Sequence, residues 1–119
     1  MHADSADRFR SDDGVATVWG MAWIAACSMI GWLAVMATVI MSAQHRLDGA
    51  ADLAAVSGAA RLQRGGDACV VAEDIAHAND AALAACRVDG SDLVVTVTHS
   101  VALPLGLDGA MTSTARAGP

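Results

Sequence analysis

The sequence predicts an α+β protein: one long N-terminal transmembrane helix extended into a protruding rod, then a small head of one short helix and a two- or three-stranded antiparallel sheet. Three observations carry this. No Asp, Glu, Lys, Arg or His occurs from Gly14 to Gln44, a run of 31 residues, against the ~20 that a bilayer-crossing helix needs. Apolar residues then continue at helical spacing as far as Gly65-Gly66. Finally, Leu93 to Val101 alternates with the period of two that marks a half-buried strand.

Composition bounds the rest. A chain of 119 residues holds one small domain, or a membrane segment plus a smaller one. It is 55% hydrophobic but only 3% aromatic, and Ala supplies 27 of the apolar residues, so the head cannot have a thick aromatic core. Seven Arg and no Lys face 13 acidic residues, a net charge of -6. A nucleic-acid partner would need clustered positive charge, so none is expected.

Residues 1–13 are a polar leader with Asp4, Asp7, Asp12 and Asp13 around Arg8 and Arg10, and with nothing to pack they are expected to be disordered. Residues 14–44 are the membrane helix. A cleaved secretory signal has an apolar region of ~7–15 residues, which this run greatly exceeds. The stretch Ile24-Ala25-Ala26-Cys27 also resembles a lipoprotein signal, with Cys27 as the lipidated residue, but a long uncharged stretch would remain attached behind it. In residues 45–64, Ala50, Ala51, Ala54, Ala55, Ala59 and Ala60 are strong helix formers without an intervening Pro. Leu47, Ala51, Ala54 and Gly58 share one helical face, away from Asp48, Asp52 and Arg61. Gly65-Gly66 stops the helix. At the α-helical rise, Gly14 to Arg64 is ~75 Å long, more than a ~30 Å hydrocarbon layer can cover.

Residues 65–119 make the head. Asp67 caps a helix from Ala68 to about Ala78, where Asn79 ends it. Leu83 to Val88 reads as a strand, and Asp89-Gly90-Ser91-Asp92 as a turn. Leu93, Val95, Val97, His99 and Val101 share one face of the next strand; Val94, Thr96, Thr98 and Ser100 share the other. Pro104 and Gly106 break this strand, and Met111 to Arg116 returns as a third.

Cys69 and Cys86 are the only cysteines in the head, one at the start of the short helix and one in the first strand. A bridge between them is worth ~3 kcal/mol in the chain-entropy model, and a head this small needs a staple. A disulfide requires an oxidising compartment, which puts the head outside the cytoplasm. The alternative is two unpaired buried thiols. Charge alone does not decide the topology, because Arg8 and Arg10 precede the helix while Arg46 follows it at once.

No catalytic or metal site is expected, and no cofactor. Glu73 and His77 share a helix face with Asp74 beside them, but such groups ordinarily belong to a solvated surface. His45 sits where the helix leaves the membrane and suits a headgroup contact. His99 lies on the apolar face of its strand, as a core or strand-edge residue rather than a base. Ser100 has no nucleophile elbow around it, and no phosphate loop or dinucleotide fingerprint occurs.

A short polar leader ending in Gly, an apolar helix that runs on as an Ala-rich rod, and a small head together resemble the type IV pilin plan. The chain is most similar to TadE-like, Flp-type pilus proteins in their short actinobacterial form. The residues that carry the resemblance are Asp13-Gly14-Val15-Ala16-Thr17-Val18 at the start of the helix and Arg46-Leu47-Asp48-Gly49-Ala50-Ala51-Asp52-Leu53-Ala54-Ala55 beyond the membrane. Cys86-Arg87-Val88-Asp89-Gly90, ahead of Val94-Val95-Thr96-Val97, completes it. The similarity covers about residues 13–116.

This resemblance implies a leader-peptidase cut after Gly14, leaving Val15 as the new N-terminus. Pilins usually carry Glu five residues after the cut, where it neutralises a neighbouring subunit's terminal amine. Here that residue is Trp19, so the resemblance implies a minor or accessory subunit of a Tad/Flp-type pilus or secretion apparatus. Its partners would be the lipid bilayer and other pilin-like or Tad assembly subunits. Ala16 with Gly20, Ala22 with Ala26 and Cys27 with Gly31 are small residues four apart that let helices approach closely in lipid, although Ala and Gly are abundant throughout. The expected location is the cell membrane, single-pass, with the C-terminal head extracytoplasmic and possible exposure at the surface. The competing expectation is an exported, effector-like protein whose apolar segment serves as signal or anchor.

Overall fold

The computed structural model describes the backbone of residues 2–103 and 106–119, and side chains from Gly14 onward. In chain order the elements are α1 (His2–Gln63), α2 (Ala68–Ala78), β1 (Ala82–Asp89), β2 (Asp92–Ala102) and β3 (Asp108–Ala117). The three strands form one antiparallel sheet in the order β1-β2-β3. The expected fold class, a long helix followed by one short helix and a small antiparallel sheet, is therefore the observed one. The chain divides into two compact units, Met1–Val39 and Ile40–Pro119.

The first unit is the N-terminal part of α1. Helical backbone begins at His2, where disorder was expected through residue 13. No Pro or Gly interrupts residues 2–13, so a nucleated helix meets nothing that stops it growing back into the leader. From Gly14 on, α1 is long and apolar enough to cross a bilayer. Most of its large side chains, among them Val18, Trp19, Ile24, Ile30, Trp32 and Leu33, are exposed, while Met36 is half-buried.

In the second unit, residues 40–63 of α1 do more than continue the helix. Leu47, Ala50, Ala51, Ala54, Ala55 and Ala59 are buried and join Ala68, Ala72, Ala76, Ala81, Leu93, Val95, Val97 and Ala115 in one core. The face read from sequence as Leu47, Ala51, Ala54 and Gly58 is thus the face that packs. The compact unit accordingly starts well before Gly65, where the head was expected to begin. Ala is small enough for backbones to lie close together, so a core with no aromatic ring still fills. At Gly58 the approach is closest: a Cβ there would stand 2.3 Å from Leu93 Cδ2 and 2.9 Å from the Ala68 carbonyl oxygen.

Local chemistry sets each boundary. α1 ends in a left-handed stop at Gly65, φ 75°, with Gly66 N–H donating to Arg61 O and Gly65 N–H to Leu62 O. Asp67 accepts from the Cys69 and Val70 amides and so caps α2. The same kind of stop ends α2, but with Asp80 at φ 57° in the place Gly usually takes; Ala81 N–H donates to Ala76 O and Asp80 N–H to His77 O. Asp89 pairs with Asp92 across the expected turn, where Gly90 has φ 65°. A bulge lies between Leu83 and Ala85 in β1.

The central strand β2 buries Leu93, Val95 and Val97 against the helices. The alternation expected to carry on through His99 and Val101 continues in register, but the burial does not: His99 is exposed and Val101 half-buried. β2 ends at Ala102, and Pro104, expected to break it, lies outside the described residues. The return strand is longer than Met111–Arg116, because every residue from Asp108 to Ala117 pairs with β2.

Candidate functional site

Two surfaces present themselves, the apolar face of α1 and the disulfide-closed head. On α1, 3.6 residues per turn places Ala16, Gly20, Cys27 and Gly31 within an arc of about 60°. Ala22 and Ala26 fall on a different side. All six are exposed, and nothing lies within 4 Å of a Cβ built at Gly20 or Gly31. Small residues therefore leave a shallow, open strip along the helix. The Cys27 thiol is free and exposed. Gly14, the expected cut position, is also exposed and open.

In the head, Cys69 and Cys86 are joined, with sulfurs 2.06 Å apart and Cα atoms 5.9 Å apart. The cap at Asp67 positions Cys69 in the first turn of α2, and pairing with Val95 positions Cys86 in β1. The bridge fastens the short helix to the edge strand.

A second fastening, between α1 and the sheet, carries no local sequence signal. Ser113 Oγ donates to Asp48 Oδ1 at 2.6 Å, and Gln44 Nε2 donates to the same oxygen at 3.0 Å. These two donors, Ser113 first, hold the Asp48 carboxyl below its ordinary pKa, with a smaller contribution from the charge of His45. Ser113 faces Val97 across the strand pair, so the bond ties helix and sheet at one level. At the other end of the sheet Arg116 Nε lies 2.7 Å from Asp92 Oδ2, and a terminal nitrogen of the same guanidinium lies 3.2 Å from Asp89. The hydrogen bond and charge of Asp92, then the charge of Asp89, raise the Arg116 pKa.

The histidines stand apart. His45 and His77 are exposed, as are Glu73 and Asp74. His99, expected in the core or at a strand edge, lies on the central strand beyond the end of the core, and its Nδ1 is 2.7 Å from the Asp80 carbonyl oxygen. There it sits against the left-handed stop of α2. Among the described residues, no three His, Cys, Asp or Glu side chains gather in a way that could hold a metal.

Comparison of the chain with models of protein families, with curated proteins and with solved structures finds no match.

Proposed function

We propose that this chain is a pilin-like, membrane-anchored minor or accessory subunit of a Tad/Flp-type pilus or secretion apparatus, acting by assembly rather than catalysis. The observation that carries the reading is α1 itself. Its charge-free, largely exposed stretch from Gly14 belongs to the same helix whose later residues, Leu47 to Ala59, form the wall of the head. A removable signal need not be built into a domain core, whereas an anchor that carries a head must be firmly joined to it. The exposed strip of Ala16, Gly20, Cys27 and Gly31 supports helix association in lipid. The Cys69–Cys86 bridge supports a head outside the cytoplasm.

Trp19 is the feature that favours an accessory role. A Trp fills a gap between apolar helices but cannot neutralise a neighbour's terminal amine, and an uncompensated charge within the bilayer is costly. A subunit at a filament end lacks one neighbour and can dispense with that contact.

The mass of the mature protein tests the reading. A product beginning at Val15 supports leader-peptidase processing and the pilin plan. One beginning near Gln44 supports the exported, effector-like alternative, and would separate the head from its anchor.

A further inference from the structure

We infer that the open edge of β3 is a homotypic contact, which pairs antiparallel with β3 of a second copy of this chain presented from a facing membrane. The strand pairing rests on the second compact unit alone and on no role in a pilus. The facing arrangement rests also on the reading that the chain is anchored in a membrane.

β1 and β3 are the two edges of the sheet, and they differ in character. β1 is interrupted by the bulge between Leu83 and Ala85, is tied to α2 through Cys86, and carries Arg87 within its run. Bulges and charges of this kind keep an edge from taking up a new partner. β3 has neither in its middle. Its ten residues from Asp108 to Ala117 pair one-to-one with β2, without a bulge or Pro, and its two charges, Asp108 and Arg116, stand near its ends. A long, regular edge is a template for another strand.

The backbone fixes which groups are left over. Leu103 N–H donates to Leu107 O, so residues 103 and 107 form a hydrogen-bonded pair. Such pairs alternate along an antiparallel ladder, and the register then makes residues 109, 111, 113, 115 and 117 the ones bonded to β2. Asp108, Ala110, Thr112, Thr114 and Arg116 turn their N–H and C=O groups to the free edge. Their side chains share the open face of the sheet, and all five are exposed.

This pattern is complementary to itself. About a two-fold axis at Thr112, Thr112 meets the partner's Thr112, Ala110 meets the partner's Thr114, and Asp108 meets the partner's Arg116. Every outward residue then faces an outward residue, so each opposed pair exchanges both hydrogen bonds. Opposite charges stand directly across the join at both ends, a favourable cross-strand pairing. Asp108 has no ion pair of its own among the described residues. Arg116 holds Asp92 with Nε and Asp89 with one terminal nitrogen, which leaves the other terminal nitrogen for an incoming carboxylate. Moving the axis by one residue sets Asp108 opposite Thr114 or Gly118 and loses both charge pairs.

The same axis decides which copies meet. It reverses α1, so residues 40–63 of the two chains run in opposite directions and the two Ile40 ends lie on opposite sides of the pair. Chains anchored side by side in one bilayer do not meet in this way, whereas heads presented from facing membranes do. One strand pair is a small contact, and many in parallel between two surfaces add avidity.

Cysteine cross-linking of the full chain in detergent, with its disulfide intact and Cys27→Ala in the background, tests the pairing. Residues in a hydrogen-bonded pair have Cα atoms ~5.5 Å apart, within disulfide reach. Thr112→Cys should therefore form a dimer under mild oxidation. Thr114→Cys alone should not, because its counterpart lies four residues, ~14 Å, along the join, but it should when mixed with Ala110→Cys. The expected dimer yield at 112, and in the 110 and 114 mixture, is several times that of 114 alone. Equal yields mark random collision and overturn the register, and no dimer at 112 overturns the pairing. Thr112→Pro removes an outward N–H and no β2–β3 bond, so adding it to the mixture should abolish the dimer while leaving the protection of β2 from hydrogen exchange unchanged. A mixture that still dimerises overturns the edge as the contact.

For the facing arrangement, phosphatidylcholine–phosphatidylglycerol vesicles carrying the chain with heads outward should cluster, as read by light scattering, and Thr112→Pro vesicles should stay dispersed. Wild-type vesicles that stay dispersed, or Thr112→Pro vesicles that cluster equally, overturn it. A chain that does not enter vesicles removes the membrane span and the facing arrangement with it, while the cross-links in detergent still decide the pairing.

Discussion

Two alanine substitutions on the same helix should have opposite effects on the head. Gly49 and Gly58 both lie in α1, and Ala in place of Gly in a helix interior gains ~1 kcal/mol of propensity. At Gly49 nothing lies within 4 Å of the new Cβ, so Gly49→Ala should show that gain undiminished. At Gly58 the Cβ would stand 2.3 Å from Leu93 Cδ2, 2.9 Å from Ala68 O and 3.5 Å from Ala72 Cβ. Leu93 is fully buried, and Ala68 O is backbone that cannot turn aside. Overpacking of this kind costs ~1–3 kcal/mol, which cancels or exceeds the propensity gain. Gly58→Ala should therefore lower head stability by ~0–2 kcal/mol, and the two variants should differ by ~1–3 kcal/mol, since propensity is common to both. Hydrogen exchange of a β2 peptide in detergent-solubilised full-length protein reads the opening equilibrium directly. A difference of 2 kcal/mol is ~30-fold in exchange rate. A Gly58→Ala protein as well protected as Gly49→Ala would refute the close packing of α1 on α2 and β2.

Cys69→Ser with Cys86→Ser should cost the head ~3 kcal/mol, measured by the same exchange, and reductant added to the wild type should reproduce the loss. Asp48→Asn should flatten the acid side of the stability profile. The folded-state pKa of Asp48 is depressed, so its contribution is present above the unfolded value of ~4 and disappears as pH falls through the lower folded value; wild type and variant should converge there. Val35→Arg should cost ~2.5–3.5 kcal/mol in membrane-insertion assays, and unimpaired insertion would argue against the span. In an accessory role the protein should be scarce beside a major pilin; quantitative mass spectrometry of sheared filaments showing it dominant would overturn that role.

Local signals account for what the sequence by itself determined. Asp67 and Asn79 bound α2 where expected, because a cap is a side chain bonding to amides two or three residues away. The Asp89–Asp92 turn and the alternation of Leu93, Val95 and Val97 are likewise written in contiguous residues, as is the charge-free run of α1. Only tertiary structure decided what each face meets. The stripe Leu47, Ala51, Ala54 and Gly58 has the same period whether it faces solvent or a sheet; α2 and β2 make it core. Asp48 and Ser113 are 65 residues apart, and no spacing rule joins them. His99 has the parity of a core residue yet is exposed, because the helices cover β2 only as far as Val97 while the strand pairing runs on to Ala102 and Asp108. Periodicity tells which residues share a side. How far a partner extends along that side depends on the relative lengths of elements distant in the chain, and here that difference in length leaves His99 beyond the core.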